Sequence, residues 1–238
     1  MKGGSISHLG STNICMNTSR SNLVMRCAVN SCPDNLRMAY FNARSICAES
    51  KFDEILSLVD GLDFHFIAVS ETWLKPHIPS KMVEIPGYNL VRNDRLTHAG
   101  GVGIYISSHF LWKVVANSSN DSLEYLFVEV KLKNESILIG IIYNSAGGKV
   151  DQIEEILSNH SISFEHMLIA GDFNINMLSN NSTTVKFKNV LYCQNLSYMP
   201  VDQPTHFSKA HSSYSLIDLF IVSNPSLINR FVHFYFRS

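Results

Sequence analysis

Met167-Leu168-Ile169-Ala170-Gly171-Asp172-Phe173-Asn174 is an apolar run that ends abruptly in a carboxylate and an amide. Such a run, too short for a stable isolated helix, suits a strand buried on both faces. The same grammar recurs at three other places. Met38-Ala39-Tyr40-Phe41 runs into Asn42, Phe66-Ile67-Ala68-Val69-Ser70 into Glu71, and Ile139-Gly140-Ile141-Ile142 into Tyr143-Asn144. Each buried strand delivers a polar side chain at its C-terminal edge, where open α/β sheets commonly place their ligand sites.

Working outward, strands are expected at Leu36–Phe41, His65–Ser70, Tyr88–Arg92, Gly101–Ile106, Leu123–Leu132, Ile137–Tyr143, His166–Ala170 and Leu216–Val222. Helices are expected at Ala48–Val59, Val150–Asn159 and Thr184–Cys193. Hairpin-like neighbours, such as Leu123–Leu132 and Ile137–Tyr143 joined through Asn134-Glu135, mix with helix-separated strands, which predicts mixed sheets. The expected class is α/β (α+β), with two packed mixed β-sheets flanked by helices as a four-layer sandwich. Residues 1–35 lack periodicity and end at the Cys32-Pro33-Asp34 turn signal, so they read as a poorly ordered leader before a domain spanning 36–238.

Composition bounds the remainder. A chain of 238 residues with 45% hydrophobic and 16% charged residues can bury a large single core. A net charge of −1 advertises no nucleic-acid partner. The cysteine count of 5 is odd and no C-x-x-C pair occurs, which argues against a disulfide framework or zinc site. With no apolar run of membrane-spanning length and no signal-peptide core, the expected setting is intracellular, nucleus or cytoplasm, neither secreted nor membrane-bound.

If the strand edges converge, they assemble two carboxylates, Glu71 and Asp172, with two amides, Asn42 and Asn174. An all-oxygen donor set suits Mg²⁺ or Mn²⁺ beside a phosphate. Taken singly, each residue has a plainer reading. Asp172-Phe173-Asn174 suits an Asx-turn, Asn42 a strand-ending turn, and Glu71 a solvated or helix-capping group. The ordered series carries the weight.

That series resembles the endonuclease/exonuclease/phosphatase superfamily. The segments are Phe41-Asn42-Ala43-Arg44-Ser45-Ile46, Val69-Ser70-Glu71-Thr72-Trp73-Leu74, Arg92-Asn93-Asp94-Arg95 with Gly100-Gly101-Val102-Gly103, Gly171-Asp172-Phe173-Asn174, Gln203-Pro204-Thr205-His206-Phe207 and Ser215-Leu216-Ile217-Asp218-Leu219. They are most similar to the apurinic/apyrimidinic-like endonuclease domain of jockey-type non-LTR retrotransposons, over about Leu36 to Asn229. The resemblance implies Glu71 and Asn42 as metal-binding residues, Asp172 as the residue that activates water, and Asn174 and Tyr143 on the phosphate. It implies Thr205 and Ser215 in support, and Asp218 orienting a histidine. The implied partner is double-stranded DNA, cut to leave a 3′-hydroxyl for target-primed synthesis by a downstream reverse transcriptase domain. Arg92 and Arg95 either contact DNA phosphates or sit on a solvated hairpin. Trp73 is expected to pack under the Glu71 loop, and His65 to be structural.

The chain departs from the family pattern in one respect. No Ser-Asp-His triplet occurs after Asp218, so the resemblance implies a domain lacking its last catalytic segment and impaired in activity. A catalytically dead remnant, or a phosphatase of the same superfamily, are the alternative readings.

Overall fold

The alternation of buried side chains along each strand sorts the chain into layers. The computed structural model describes residues 23–29, 36–48, 50–60, 62–119, 122–199, 204–208, 212–225 and 228–235. In chain order the elements begin with strands β1 (Leu23–Val29) and β2 (Leu36–Asn42), helix α1 (Lys51–Val59) and strand β3 (Phe66–Ser70). Strands β4 (Tyr88–Asn93), β5 (Val102–Ser107), β6 (Leu111–Asn117), β7 (Glu124–Lys131) and β8 (Ser136–Tyr143) follow. Helix α2 (Val150–Ser161), strand β9 (His166–Asp172) and helix α3 (Ser182–Cys193) come next. The described chain closes with β10 (Ser197–Tyr198), β11 (His206–Ser208), β12 (Ser213–Ser215), β13 (Asp218–Val222) and β14 (Ile228–Tyr235).

Two mixed sheets result, ordered β14-β1-β2-β3-β5-β4 and β10-β13-β9-β8-β7-β6, with β11 and β12 as a separate small hairpin. Each large sheet contains one parallel pair, β2 with β3 and β8 with β9, while the other pairs are antiparallel. Parallel neighbours need a crossover, and α1 and α2 supply the two. Met38, Tyr40, Phe66, Ala68, Ile139, Ile141, Leu168 and Ala170 point between the sheets into a shared core. Their sequence neighbours Ala39, Phe41, Ile67 and Val69 face outward against Ile55 and Val59 of α1. Leu138, Ile142, Met167 and Ile169 likewise face Val150, Ile153 and Leu157 of α2 and Phe187 and Val190 of α3. The order helix, sheet, sheet, helices is the expected four-layer sandwich.

All eight expected strands and all three helices form, with ends shifted by a few residues. β6 has no counterpart in the expectations. It is an edge strand bonded only to β7, with an irregular register between Val114 and Ala116 and half its side chains in water, so it carries no apolar run to read. The leader expected over residues 1–35 lies outside the described residues except for Leu23–Val29. Those seven residues depart from the expectation by forming β1, paired with both β2 and β14. His65 is structural as expected, its Nδ1 accepting the Arg37 backbone N–H at 3.0 Å. Trp73 departs from its expected packing. It is 41% exposed and holds a left-handed φ of 54°.

Gly101 and Gly171 need the absence of a side chain for different reasons. Gly101 has φ 84°, and a Cβ there would lie 2.6 Å from Thr72 Oγ1. Gly171 sits beside Ile142 in the parallel β8–β9 ladder, and a Cβ would lie 1.9 Å from the Ile142 carbonyl oxygen.

Candidate active site

Parallel pairing sets the site, because it puts the C-termini of four strands at one edge of the sandwich. The last register pair of β2 and β3 is Asn42 with Ser70, immediately before Glu71. The last pair of β8 and β9 is Tyr143 with Asp172. β13 runs antiparallel to β9 and starts where β9 ends, so Asp218 stands directly opposite Asp172. Asn42, Arg44, Glu71, Tyr143, Asp172, Asn174, Asn176, Thr205, His206, Ser215 and Asp218 accordingly line one cleft of about 470 Å³.

Within it, Asn42 Nδ2 donates to Glu71 Oε1 at 2.9 Å and to Asp172 Oδ2 at 3.2 Å. The amide thereby links the two sheets. Its other polar atom, Asn42 Oδ1, is buried and has no hydrogen-bond partner. Asp172 Oδ1 accepts the Asn174 backbone N–H at 3.0 Å, the Asx-turn of the plainer reading, so turn and site coexist. Asn174 Nδ2 in turn donates to the Asn144 carbonyl at 3.0 Å. Glu71 and Asn174 hold φ values of 51° and 49°. Left-handed backbone at a non-glycine residue costs about 1–2 kcal/mol and persists where the surroundings over-determine it.

Tyr40, which the sequence reading passed over, lies beneath the cleft at 0% exposure. Its hydroxyl meets Ser70 Oγ at 2.7 Å and donates to Asp218 Oδ1 at 3.2 Å. Thr205 Oγ1 accepts the backbone N–H of Ile217 at 3.0 Å and of Asp218 at 3.1 Å. Ser215 Oγ lies 3.3 Å from His206 Nδ1. Asp218 was expected to orient an imidazole, and among the described residues it takes the Tyr40 hydroxyl instead. His233 falls in β14, where side chains lie outside the described residues.

The structure does not bring Arg92 or Arg95 to the cleft. Arg92 Nη2 contacts Asp94 Oδ2 at 3.2 Å and donates to the Ile78 carbonyl at 2.7 Å. Arg95 Nε donates to the buried Glu124 at 2.7 Å, and its guanidinium lies 5.8 Å from the centre of the Tyr143 ring. Both arginines tie loops together, and Arg95 also braces the phenol. Arg44, His206, Asn144 and Asn176 join Tyr40 as residues of the site that the sequence reading left aside. Arg44 and His206 stood inside quoted motifs, and Asn176 two residues beyond one, so the signal that finds them is motif position plus a polar side chain.

Two like charges opposite one another in a strand pair are destabilising, and here both are buried. Burial, then the neighbouring Asp218, pushes the Asp172 carboxyl well above the usual carboxylate range. Burial likewise raises Asp218 above its ordinary value. Burial, followed by Glu71 and Asp172, pushes the Tyr143 phenol up, so it stays protonated and able to donate. An acid whose folded pKa is raised contributes stability that is full below its unfolded value and is lost as pH rises through the folded value. In chelator, the native chain should therefore lose stability between the ordinary aspartate range and neutrality. Asp218→Asn removes one opposed charge and keeps an oxygen for Tyr40. It should be more stable than the native chain at about pH 7.5 by about 1–2 kcal/mol, each pKa unit being worth about 1.4 kcal/mol. Thermal melts of both proteins across pH check this. A variant less stable than native at neutral pH would overturn it.

Hard oxygen donors, an orphaned amide carbonyl and crowded buried carboxylates fit a small divalent cation. Among the described residues no cluster of three or more His, Cys, Asp and Glu side chains stands ready to hold a metal ion.

No family model and no curated protein matches the sequence. Solved structures do. The endonuclease domain of TRAS1, a telomere-specific non-LTR retrotransposon, superposes with a TM-score of 0.60 at 10% identity, over 79% of this chain and 85% of that one. TDP2 from D. rerio, complexed with single-strand DNA product, gives 0.59 at 11% identity over 79% and 83%. An endonuclease/exonuclease/phosphatase family protein from Bacteroides thetaiotaomicron gives 0.54 at 14% identity over 87% and 85%. The chain has the fold of the endonuclease/exonuclease/phosphatase proteins, the one on which a retrotransposon endonuclease domain is built.

Proposed function

We propose that the chain is a divalent-metal-dependent DNA endonuclease domain of a retrotransposon protein. The observation that carries this is the Asn42 amide, bonded to Glu71 and Asp172 with its own oxygen left bare, at the strand-end cleft of this fold. Glu71 and Asn42 Oδ1 would hold Mg²⁺ or Mn²⁺, which supplies positive charge against the phosphodiester when bound. Asp172 takes the proton of the attacking water, its raised proton affinity matching that task. Asn174, fixed by the Asn144 carbonyl, orients the phosphate, and Tyr143 donates to a phosphate oxygen. Water oxygen bonds to phosphorus and the bond from phosphorus to the 3′-oxygen breaks. That oxygen leaves as an alkoxide and takes a proton from solvent, giving a 5′-phosphate and a 3′-hydroxyl that a reverse transcriptase of the parent element would extend.

The test is nicking of supercoiled plasmid in Mg²⁺, in chelator, and with Glu71→Ala, run beside release of inorganic phosphate from phosphomonoesters. Chelator-sensitive nicking that Glu71→Ala removes is the expected result. Phosphate release outpacing nicking would mark a phosphatase. Neither activity, at any metal concentration, would mark a catalytically dead remnant.

A further inference from the structure

Three of the charged residues lining the cleft are the carboxylates Glu71, Asp172 and Asp218, which together repel a phosphodiester. The same lining also holds Arg44 and His206. Arg44 is the one Lys or Arg among the described residues lining the cleft, and it is exposed. It makes no ion pair or hydrogen bond with another described residue, yet its position is fixed. Ala43, Ser45 and Ile46 donate their backbone N–H groups to the carbonyls of Ser70, Glu71 and Thr72 at 2.9, 2.8 and 3.0 Å. The two residues in the crook of that loop, Arg44 and Ser45, hold left-handed φ values of 45° and 82°. The Arg44 loop is therefore locked, strand end against strand end, to the loop that carries Glu71.

His206 is placed by period-two alternation on the β11–β12 hairpin. His206 and Ser208 line the cleft, while Phe207 between them is 46% exposed on the other side. His206 pairs with Ser215 across the hairpin, and its Nδ1 meets Ser215 Oγ at 3.3 Å. If the serine hydroxyl donates, the ring proton resides on Nε2, which has no partner among the described residues. Burial, then Arg44, holds the imidazole below its ordinary value, so at neutral pH it is an uncharged donor. The Arg44 charge acts on both His206 and Asp218.

We propose that Arg44 and His206 form an anion-gripping wall that binds non-bridging oxygens of a nucleic-acid phosphate, Arg44 through its guanidinium and His206 through Nε2–H. This deepens the endonuclease reading by naming the residues that hold the substrate's charge against the carboxylate wall. Guanidinium–phosphate bonds are charge-assisted and orient as well as attract.

Two measurements test it. In chelator, the imidazole ¹⁵N–¹H correlation of His206 is followed during titration with inorganic phosphate. A saturable shift of the Nε2–H resonance in the native chain, lost in Arg44→Ala at unchanged melting temperature, is expected. No shift, or the same shift in Arg44→Ala, overturns the proposal, and this readout stands whether or not the chain cuts DNA. In the nicking assay, Arg44→Ala and His206→Ala should each lower kcat/KM by on the order of 10²-fold, as loss of one preorganised donor does. His206→Gln, which can place an amide N–H near the Nε2 position, should recover most of that loss, whereas His206→Asn should not. Recovery by asparagine instead would show that the ring acts through Nδ1 on Ser215 as a brace, and would overturn the phosphate role. If the native chain nicks and Arg44→Ala nicks equally well, the wall is wrong while the endonuclease reading stands.

Discussion

Asp172→Asn should reduce metal-dependent nicking by on the order of 10²–10⁴-fold while leaving the chain folded. Asparagine keeps an oxygen for the Asn174 backbone N–H, so the Asx-turn at the end of β9 survives. It also removes one of two buried carboxylates set opposite each other in the β9–β13 pair. What it cannot do is take a proton from water. The Asn174 contact holds the side chain in place, although its new amide nitrogen gives up the bond that Oδ2 accepts from Asn42 Nδ2, so the loss should fall mainly on kcat and leave DNA binding in chelator nearly unchanged. Single-turnover nicking beside a binding titration separates the two effects. A variant that nicks at the native rate would remove Asp172 from the chemistry.

The residue one position earlier should give the opposite outcome. Gly171→Ala places a methyl group 1.9 Å from the Ile142 carbonyl oxygen, and both residues belong to the central parallel ladder of their sheet. The neighbouring atoms are backbone, so relief requires prising β8 from β9 at the end that carries Tyr143 and Asp172. Overpacking ordinarily costs about 1–3 kcal/mol, and here no side chain can move aside. The expected loss is at least about 3 kcal/mol, a large part of a typical domain's stability. Denaturant unfolding checks it, and a variant within about 1 kcal/mol of native would contradict the close approach. Adjacent residues of one motif thus divide between holding the strands together and acting on substrate.

How far the sequence could be read depended on how much each element announced itself alone. Seven of the eight expected strands carry runs of apolar residues because the sandwich buries them on both faces, and that burial is local in sequence; β4, at the sheet edge, buries Val91 alone. β6 escaped because an edge strand is half solvated and exists through its bonds to β7. β1 escaped because it lies in a stretch without apolar periodicity and pairs with β14 at the far end of the chain as well as with its neighbour β2. Arg92 and Arg95 show the limit for charged side chains. Composition and motif position admitted either DNA contact or a solvated hairpin, and the fold put both into ion pairs with buried or half-buried carboxylates.

The strand-end series opened with Asp172, and by itself it determined the residue types at the cleft: Asn42, Glu71, Tyr143, Asp172, Asn174 and Asp218. Their order along the chain, each after a buried run, is a one-dimensional fact and needs no coordinates. Only the tertiary structure decided who faces whom. Antiparallel pairing of β13 to β9 sets Asp218 against Asp172, and the sheet-to-sheet packing brings the Asn42 amide between Glu71 and Asp172. The β11–β12 hairpin turns His206 into the cleft that Arg44 also lines. Those relations join residues as far as 130 positions apart, as Asn42 and Asp172 are, and they follow from strand register and layer packing, which no single stretch of sequence contains.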